Sequence, residues 1–278
     1  SDGVLNGIQS VLEGQNVVLR IERMDTKRNK DDEFKKSAAL KVKSVIESFK
    51  PDVVIASDDN ASKFLIMPYY KNASLPFVFC GVNWDASVYG LPYKNATGMI
   101  EVAPVKELLD QMKQYAPGKK IGWLAADDLT TRKENENTRK ILGIKTINYF
   151  AKDMNDWKKG FAELQKKVDT LIIANTAGMS GWSDAEGAAY ATANTKIPTG
   201  ATLEHMAPFA MLGFTKIAEE QGFFAAETAL KILDGTSPSA IPVENNKDGK
   251  LFVNLKIARA AGVEIPFDVL SSANKVIE

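Results

Sequence analysis

Short apolar runs alternate with amphipathic stretches along nearly the whole chain, and this alternation limits the fold more than any other feature. Val53-Val54-Ile55-Ala56, Phe77-Val78-Phe79-Cys80, Ile121-Gly122-Trp123-Leu124-Ala125 and Leu171-Ile172-Ile173-Ala174 are apolar from end to end. Such runs suit parallel strands buried on both faces, not strands with one wet face. Between them lie helical patterns, such as the one over 32–49 with Phe34, Ala38, Val42, Val45, Ile46 and Phe49 on one side. Serial βα units imply α/β lobes with parallel sheets and right-handed crossovers. At 278 residues the chain exceeds one minimal core, so one large or two ordinary domains are expected.

The pattern runs in two blocks. The first holds an expected strand at 17–21, the helix over 32–49, the strand at 53–56, a helix over 60–70 and the strand at 77–80. Gly90-Leu91-Pro92-Tyr93-Lys94-Asn95-Ala96-Thr97-Gly98 reads as a linker. The second block predicts helices over 104–115, 131–142, 156–168 (capped by Asn155) and 184–194. Its strands are expected at 120–125, 144–150, 170–174 and around Lys196-Ile197-Pro198. A long helix over 214–233 follows, then short strands at 241–243 and 251–253 about a turn at 245–249, then helices over 255–261 and 267–276. Crossings between lobes are expected near 90–98, 206–213 and 236–242. This places residues 1–97 and 207–238 in lobe 1, and 98–206 and 239–278 in lobe 2. No fixed-period repeat is visible.

Ser1-Asp2-Gly3 reads as a helix cap, followed by Val4, Leu5, Ile8, Val11 and Leu12 at helical spacing, with Gly14 ending the run. Doubly wound chains usually open on a buried strand, so a leading strand is expected ahead of this helix.

Composition removes several function classes. Lys and Arg number 35, as do Asp and Glu, so the net charge is zero. A general nucleic-acid or membrane-surface binder needs a basic excess. No apolar run approaches the roughly 20 residues of a membrane helix. The one cysteine, Cys80, and the one histidine, His205, exclude an intrachain disulfide, cysteine metal clusters and multi-histidine sites. There is no GxGxxG and no phosphate loop with lysine. No cofactor, no bound metal and no catalytic residue is expected.

In open α/β sheets, ligands bind beyond the carboxyl ends of the strands. The segments there are Ser57-Asp58-Asp59-Asn60, Gly81-Val82-Asn83-Trp84-Asp85, Ala126-Asp127-Asp128 through Arg132, Asn175-Thr176-Ala177-Gly178 through Trp182, and Thr199 through Met206. Two such crests facing one another would make a cleft. Asp and Asn can accept from an ammonium or hydroxyl group, helix starts can hold an anion, and Trp84 and Trp182 can stack on a ligand. The same residues also cap helices in ordinary proteins, and Asp58-Asp59-Asn60 fits that reading too. A Cys80–His205 nucleophile pair is conceivable on composition alone. His205 beside Glu204 reads better as a cleft or crossing residue. The glycosylation sequons at Asn60, Asn72 and Asn95 carry no weight, and Lys27-Arg28-Asn29-Lys30-Asp31-Asp32 reads as a solvated loop and cap.

Several segments together resemble a family of bacterial ABC-transporter substrate-binding proteins, also found as sensory domains. They are Lys50-Pro51-Asp52 through Ala61, Leu75-Pro76-Phe77 through Asn83, Glu219-Glu220-Gln221-Gly222, and Val253-Asn254 with Ala258 and Gly262 through Pro266. The resemblance spans nearly the whole chain, and order and spacing carry it. It implies a type I periplasmic binding fold: two Rossmann-like lobes joined by a multi-strand hinge and closing on a small solute. By strand-end position it assigns Asp58, Asp59, Asn60, Asn83 and Trp84 to the ligand from the first lobe. Asp127, Arg132, Asn175, Thr176, Gly178, Trp182 and Glu204 are assigned from the second, Arg132 as a carboxylate partner. Some relatives bind aromatic amino acids. Those relatives carry Thr or Ser where this chain has Asp-Asp-Asn, so the ligand stays open. The resemblance further implies an exported, non-enzymatic, monomeric protein, periplasmic or extracellular, read by an ABC permease or a sensor partner. The alternatives are a ligand-sensing domain of a signalling receptor and a two-lobed Rossmann-type transferase.

Overall fold

A computed structural model describes residues 2–29, 31–116 and 118–278. Lys30 of the charged loop and Ser1 of the expected first cap lie outside the described residues.

In chain order, α1 (Asp2–Leu12) and α2 (Asp32–Phe49) lead to β1 (Val54–Ser57), β2 (Phe77–Asn83) and β3 (Ala96–Glu101). Then come α3 (Val105–Met112), β4 (Ile121–Ala126), α4 (Leu129–Ile141), β5 (Ile147–Ala151), α5 (Met154–Leu164), β6 (Thr170–Ile173), α6 (Asp184–Asn194), β7 (Thr199–Ala201) and β8 (Leu212–Lys216). The chain ends with α7 (Ala218–Leu233), β9 (Glu244–Asn245), β10 (Gly249–Asn254), α8 (Leu255–Ala260), α9 (Phe267–Ser272) and β11 (Lys275–Ile277). These elements form two compact units, residues 1–102 with 217–246, and residues 103–216 with 247–278.

The first unit holds a parallel sheet in the order β1-β2-β3-β9. Side chains alternate across a strand, and β2 shows the result. Phe77 and Phe79 pack with Phe64, Ile66, Ala39 and Ile46 on one face. Val78 and Cys80 pack with Val4, Ile8, Ala225 and Ala226 on the other. Both faces are thus covered, as an all-apolar strand requires. The second unit holds a sheet in the order β11-β10-β8-β7-β6-β4-β5, parallel except that β10 runs antiparallel to β8. Leu124, Trp157, Phe161, Leu171, Ile173 and Phe209 lie in its core.

Several expected elements are placed differently. Residues 17–21 form no strand: Val18 is 84% exposed, and Val17 and Leu19 instead line an open groove with Gln9 and Leu12 of α1 and with Glu13 just beyond it. Apolar residues alone do not make a strand without a neighbour to pair with. The last three residues of the expected linker at 90–98 belong to a strand. Ala96-Thr97-Gly98-Met99 is buried in β3, and Gly98 lies flat against Phe79, where a Cβ would meet its carbonyl oxygen at 2.1 Å. Residues 212–216 are strand β8 and not the start of a helix. The predicted strand around Ile197 falls later, at β7. Asp153, not Asn155, caps α5 by accepting from the Asp156 N–H. The helix predicted over 60–70 carries a π-helical turn, Ser62–Ile66, between two short α-turns. The strands expected at 241–243 and 251–253 do not form a hairpin: β9 pairs with β3 in the first unit and β10 with β8 in the second. Residues 275–277 end the chain as a strand, not a helix. The chain therefore passes between units after Val102, Lys216 and Asn246, later each time than the crossings expected near 90–98, 206–213 and 236–242. Each boundary is set by a strand, β3, β8 or β9, that a turn-rich or helix-like sequence conceals.

Candidate functional site

The carboxyl ends of β1, β2 and β3 gather polar side chains from distant parts of the first unit. β1 stops at Ser57, and the Asp58 N–H donates to the Cys80 carbonyl at 2.8 Å, which ties the two strand ends together. Asp58 takes a positive φ of 91°. Its carboxylate accepts from the Asn60 N–H at 3.2 Å and pairs with Lys27 Nζ at 2.6 Å. That carboxylate holds the Lys27 ammonium above the usual lysine range. Asp59 accepts from three donors: Asn83 Nδ2 at 2.6 Å, the Asn83 N–H at 3.3 Å and the Tyr89 hydroxyl at 3.0 Å. Burial, then the Asp59 charge, pushes the Tyr89 phenol well above the ordinary tyrosine range. Asn60 Nδ2 donates to Thr26 Oγ1 at 3.2 Å. Trp84 is half-buried at a positive φ of 62° and donates its N–H to the Glu101 carbonyl at 3.0 Å. Beneath them, β2 bulges between Phe79 and Val82, and the Gly81 N–H donates to buried Gln221 Oε1 of α7 at 2.7 Å.

The second unit carries its own crest. Arg132 Nε donates to Asp127 Oδ1 at 2.7 Å, which holds the Asp127 carboxyl below the usual range. The guanidinium lies 4.3 Å from the Phe150 ring centroid and is half exposed. Asp128 caps α4, accepting from the Thr131 N–H at 2.9 Å. Asn175 Oδ1 accepts from the Ala177 N–H at 3.0 Å and lies 3.1 Å from His205 Nε2. Glu204 is exposed at the start of a short 3₁₀ turn, Glu204–Phe209.

Asp58, Asp59, Asn60 and Asn83 thus come together at one strand-end cluster, and Asp127 with Arg132, and Asn175 with His205, at the other. Gly178 takes a φ of 82° with open space beside it. Thr176 is buried, its hydroxyl 3.5 Å from Met206 Sδ. Trp182 packs edge-on against Trp157 and Phe209 and donates its indole N–H to Asp184 at 2.7 Å, so its ring belongs to an aromatic core. Strand-end reasoning missed Tyr89, Lys27, Thr26 and Glu101. Lys27 opens the run read as merely solvated, Thr26 directly precedes it, and Glu101 ends a strand that begins inside the apparent linker.

Cys80 is no nucleophile here. It is fully buried, and burial raises its thiol to about 11 even with Ser57 hydrogen-bonded beside it. The thiolate is the reactive form, so Cys80 should resist Ellman's reagent at pH 8 in the native protein and react once denatured. Rapid native reaction would contradict this packing. Among the described residues, no three His, Cys, Asp or Glu side chains are placed to hold a metal ion, and no helix is long and apolar enough to cross a membrane.

Two α/β units, each with a largely parallel sheet and a polar cluster at its strand ends, have the type I periplasmic binding protein fold. The chain matches the model of the ABC transporter substrate-binding protein family over residues 2–277, and it belongs to that family. It is therefore a substrate-binding protein and not an enzyme, which removes the transferase alternative; members bind small ligands and work with ABC permeases. Solved structures share the fold. A ligand-free, open substrate-binding protein with adhesive properties from Clostridium difficile is 22% identical, covers 99% of this chain and 94% of its own, and has a TM-score of 0.69. An ABC domain in complex with L-Trp from Streptococcus pneumonia is 20% identical over 99% and 95%, with a TM-score of 0.51. A conserved domain protein from Vibrio cholerae is 19% identical over 99% and 94%, with a TM-score of 0.53. At these identities the likeness concerns the fold alone. Comparison with curated proteins finds no match.

Proposed function

We propose that this chain is a monomeric receptor outside the cytoplasm, periplasmic or extracellular, which binds an amino acid and presents it to an ABC permease. Each unit's strand-end residues supply polar contacts suited to a small ligand, and the permease reads whether the ligand is bound. The observation that carries the reading is Arg132. Nε is tied to Asp127 and the guanidinium lies 4.3 Å from the Phe150 ring centroid, while among the described residues the two terminal nitrogens make no hydrogen bond. A guanidinium held in this way offers a planar fork for a carboxylate. The first unit supplies acceptors, Asp58 and Asn83, suited to an ammonium group. Trp84 lies beside them, and the neighbour solved with L-Trp makes aromatic amino acids the first candidates.

The test is a thermal-shift panel of the common amino acids, sugars and polyamines. A true ligand at 100 times its Kd should stabilise the protein by about 2.7 kcal/mol. Stabilisation by one or a few amino acids is expected. Stabilisation by a sugar or polyamine alone, or by nothing in a broad panel on folded protein, contradicts the reading.

A further inference from the structure

The Asn83 side chain is exposed, yet it is held as firmly as many buried ones. Asp59 takes its Nδ2 at 2.6 Å and its backbone N–H at 3.3 Å. A carboxylate oxygen can only accept, so the amide nitrogen must face Asp59 and Oδ1 must face away. The Asp59 carboxylate is in turn fixed by the Tyr89 hydroxyl at 3.0 Å. Tyr89 is fixed as well. It ends a 3₁₀ turn, Ala86–Tyr89, capped by Asp85 through the Ser87 N–H at 2.8 Å, and its carbonyl accepts from the Tyr93 hydroxyl. Ordering an exposed amide costs side-chain entropy and contributes little to stability. Such a chain of supports is what a recognition site needs to hold a contact atom in one place.

The side-chain atom of Asn83 left over is an acceptor. Among the described residues, Asn83 Oδ1 accepts no hydrogen bond. Asn60 donates its Nδ2 to Thr26 at 3.2 Å, so that amide nitrogen is already used. The neighbouring cation, Lys27, is already paired with Asp58 at 2.6 Å. We propose that Tyr89 and Asp59 are positioning residues that lock the Asn83 amide with Oδ1 toward the ligand. This crest thereby selects a hydrogen-bond-donating group, an amine or ammonium, and rejects a carboxylate. The inference rests on the reading that Asn83 touches the ligand. It adds residues that touch none and a polarity rule for this half of the site.

The experiment compares L-phenylalanine with 3-phenylpropionate, which share the ring and the carboxylate and differ only by the amine, by calorimetry on the full chain. Wild type should prefer L-phenylalanine by about tenfold, the worth of one charge-assisted hydrogen bond from its ammonium group. Asp59→Asn can donate as well as accept, so the Asn83 amide is free to turn, and the preference should fall to within about threefold. Tyr89→Phe should reduce it part of the way. A merely structural network would change melting temperature and leave the ratio alone, so an unaltered ratio in folded Asp59→Asn overturns the proposal. If neither probe binds wild type, the amino-acid reading fails, and the lock is decided separately by NMR of the asparagine side-chain amides. One Asn83 amide proton should be shifted downfield and slow to exchange, and the shift should vanish in Asp59→Asn. A free-amide signal for Asn83 in wild type overturns the lock itself.

Discussion

Gly222→Ala should destabilise the first unit by about 3 kcal/mol or more, the upper range for forcing extra volume into a packed interior. A Cβ at Gly222 would lie 2.1 Å from the Val4 carbonyl oxygen, 2.8 Å from the Ile8 nitrogen and 3.0 Å from the Gly7 Cα. Gly7 faces the same limit from the other helix, where a Cβ would lie 2.3 Å from the Glu219 carbonyl oxygen. Every one of these atoms is backbone, so no side chain can swing aside. The helices α1 and α7 would have to part, and their contact is what closes one face of the sheet over Val78 and Cys80. Thermal unfolding should show a fall of about 6–12 °C, taking 2–4 °C per kcal/mol for a chain of this size. Gly143→Ala is the control. Gly143 has a φ of 70° and open space around it, so only backbone strain of about 1 kcal/mol is added. Equal effects of the two substitutions would mean that the helices do not meet as closely as described.

The second large effect concerns binding. Arg132→Ala should weaken the best amino-acid ligand by roughly 10- to 150-fold, the span for loss of a charge-assisted hydrogen-bond pair. The fold should survive, because the guanidinium is half exposed and Asp127 beside it stays partly wet. Arg132→Lys should not restore affinity. A lysine keeps the charge but neither the fork nor the guanidinium that lies 4.3 Å from the Phe150 ring centroid. Calorimetry on the three proteins decides it. An affinity unchanged in Arg132→Ala would remove this side chain from the site.

The parts of the fold legible in the sequence are those where one physical signal dominated. Helix α6 falls on the predicted residues 184–194, since Ser183 caps it and a strand-breaking Gly-rich turn precedes it. Strands β2, β4 and β6 each carry an unbroken apolar run because both faces are covered, and no helical period competes. Where two signals overlapped, the reading failed. Ala96-Thr97-Gly98 looked like turn chemistry, yet glycine stands there because Phe79 lies across it. Phe214 looked like the first turn of a long helix, yet it belongs to β8, whose register with β10 sets Leu251 opposite it. At 17–21 the apolar pattern was real and the ladder was not.

The candidate site divides in the same way. The strand-end rule found Asp58, Asp59, Asn60 and Asn83, because parallel β1 and β2 end side by side. Tyr89 escaped it, since a residue six positions past a strand carries no mark of folding back onto Asp59. Trp182 sat at a strand end and looked like a stacking platform, while Trp157 and Phe209, far away in sequence, draw it into the core.

Capture and release of a small molecule without chemical change is best examined on the molecule itself. The protein should be saturated with the amino acid that stabilises it most, freed of excess by gel filtration and denatured, and the released solute should be weighed by mass spectrometry. One equivalent per chain, of unaltered mass, is expected. Recovery of a converted product, or of nothing from a protein that remained folded, would contradict a receptor that holds its ligand and lets it go intact.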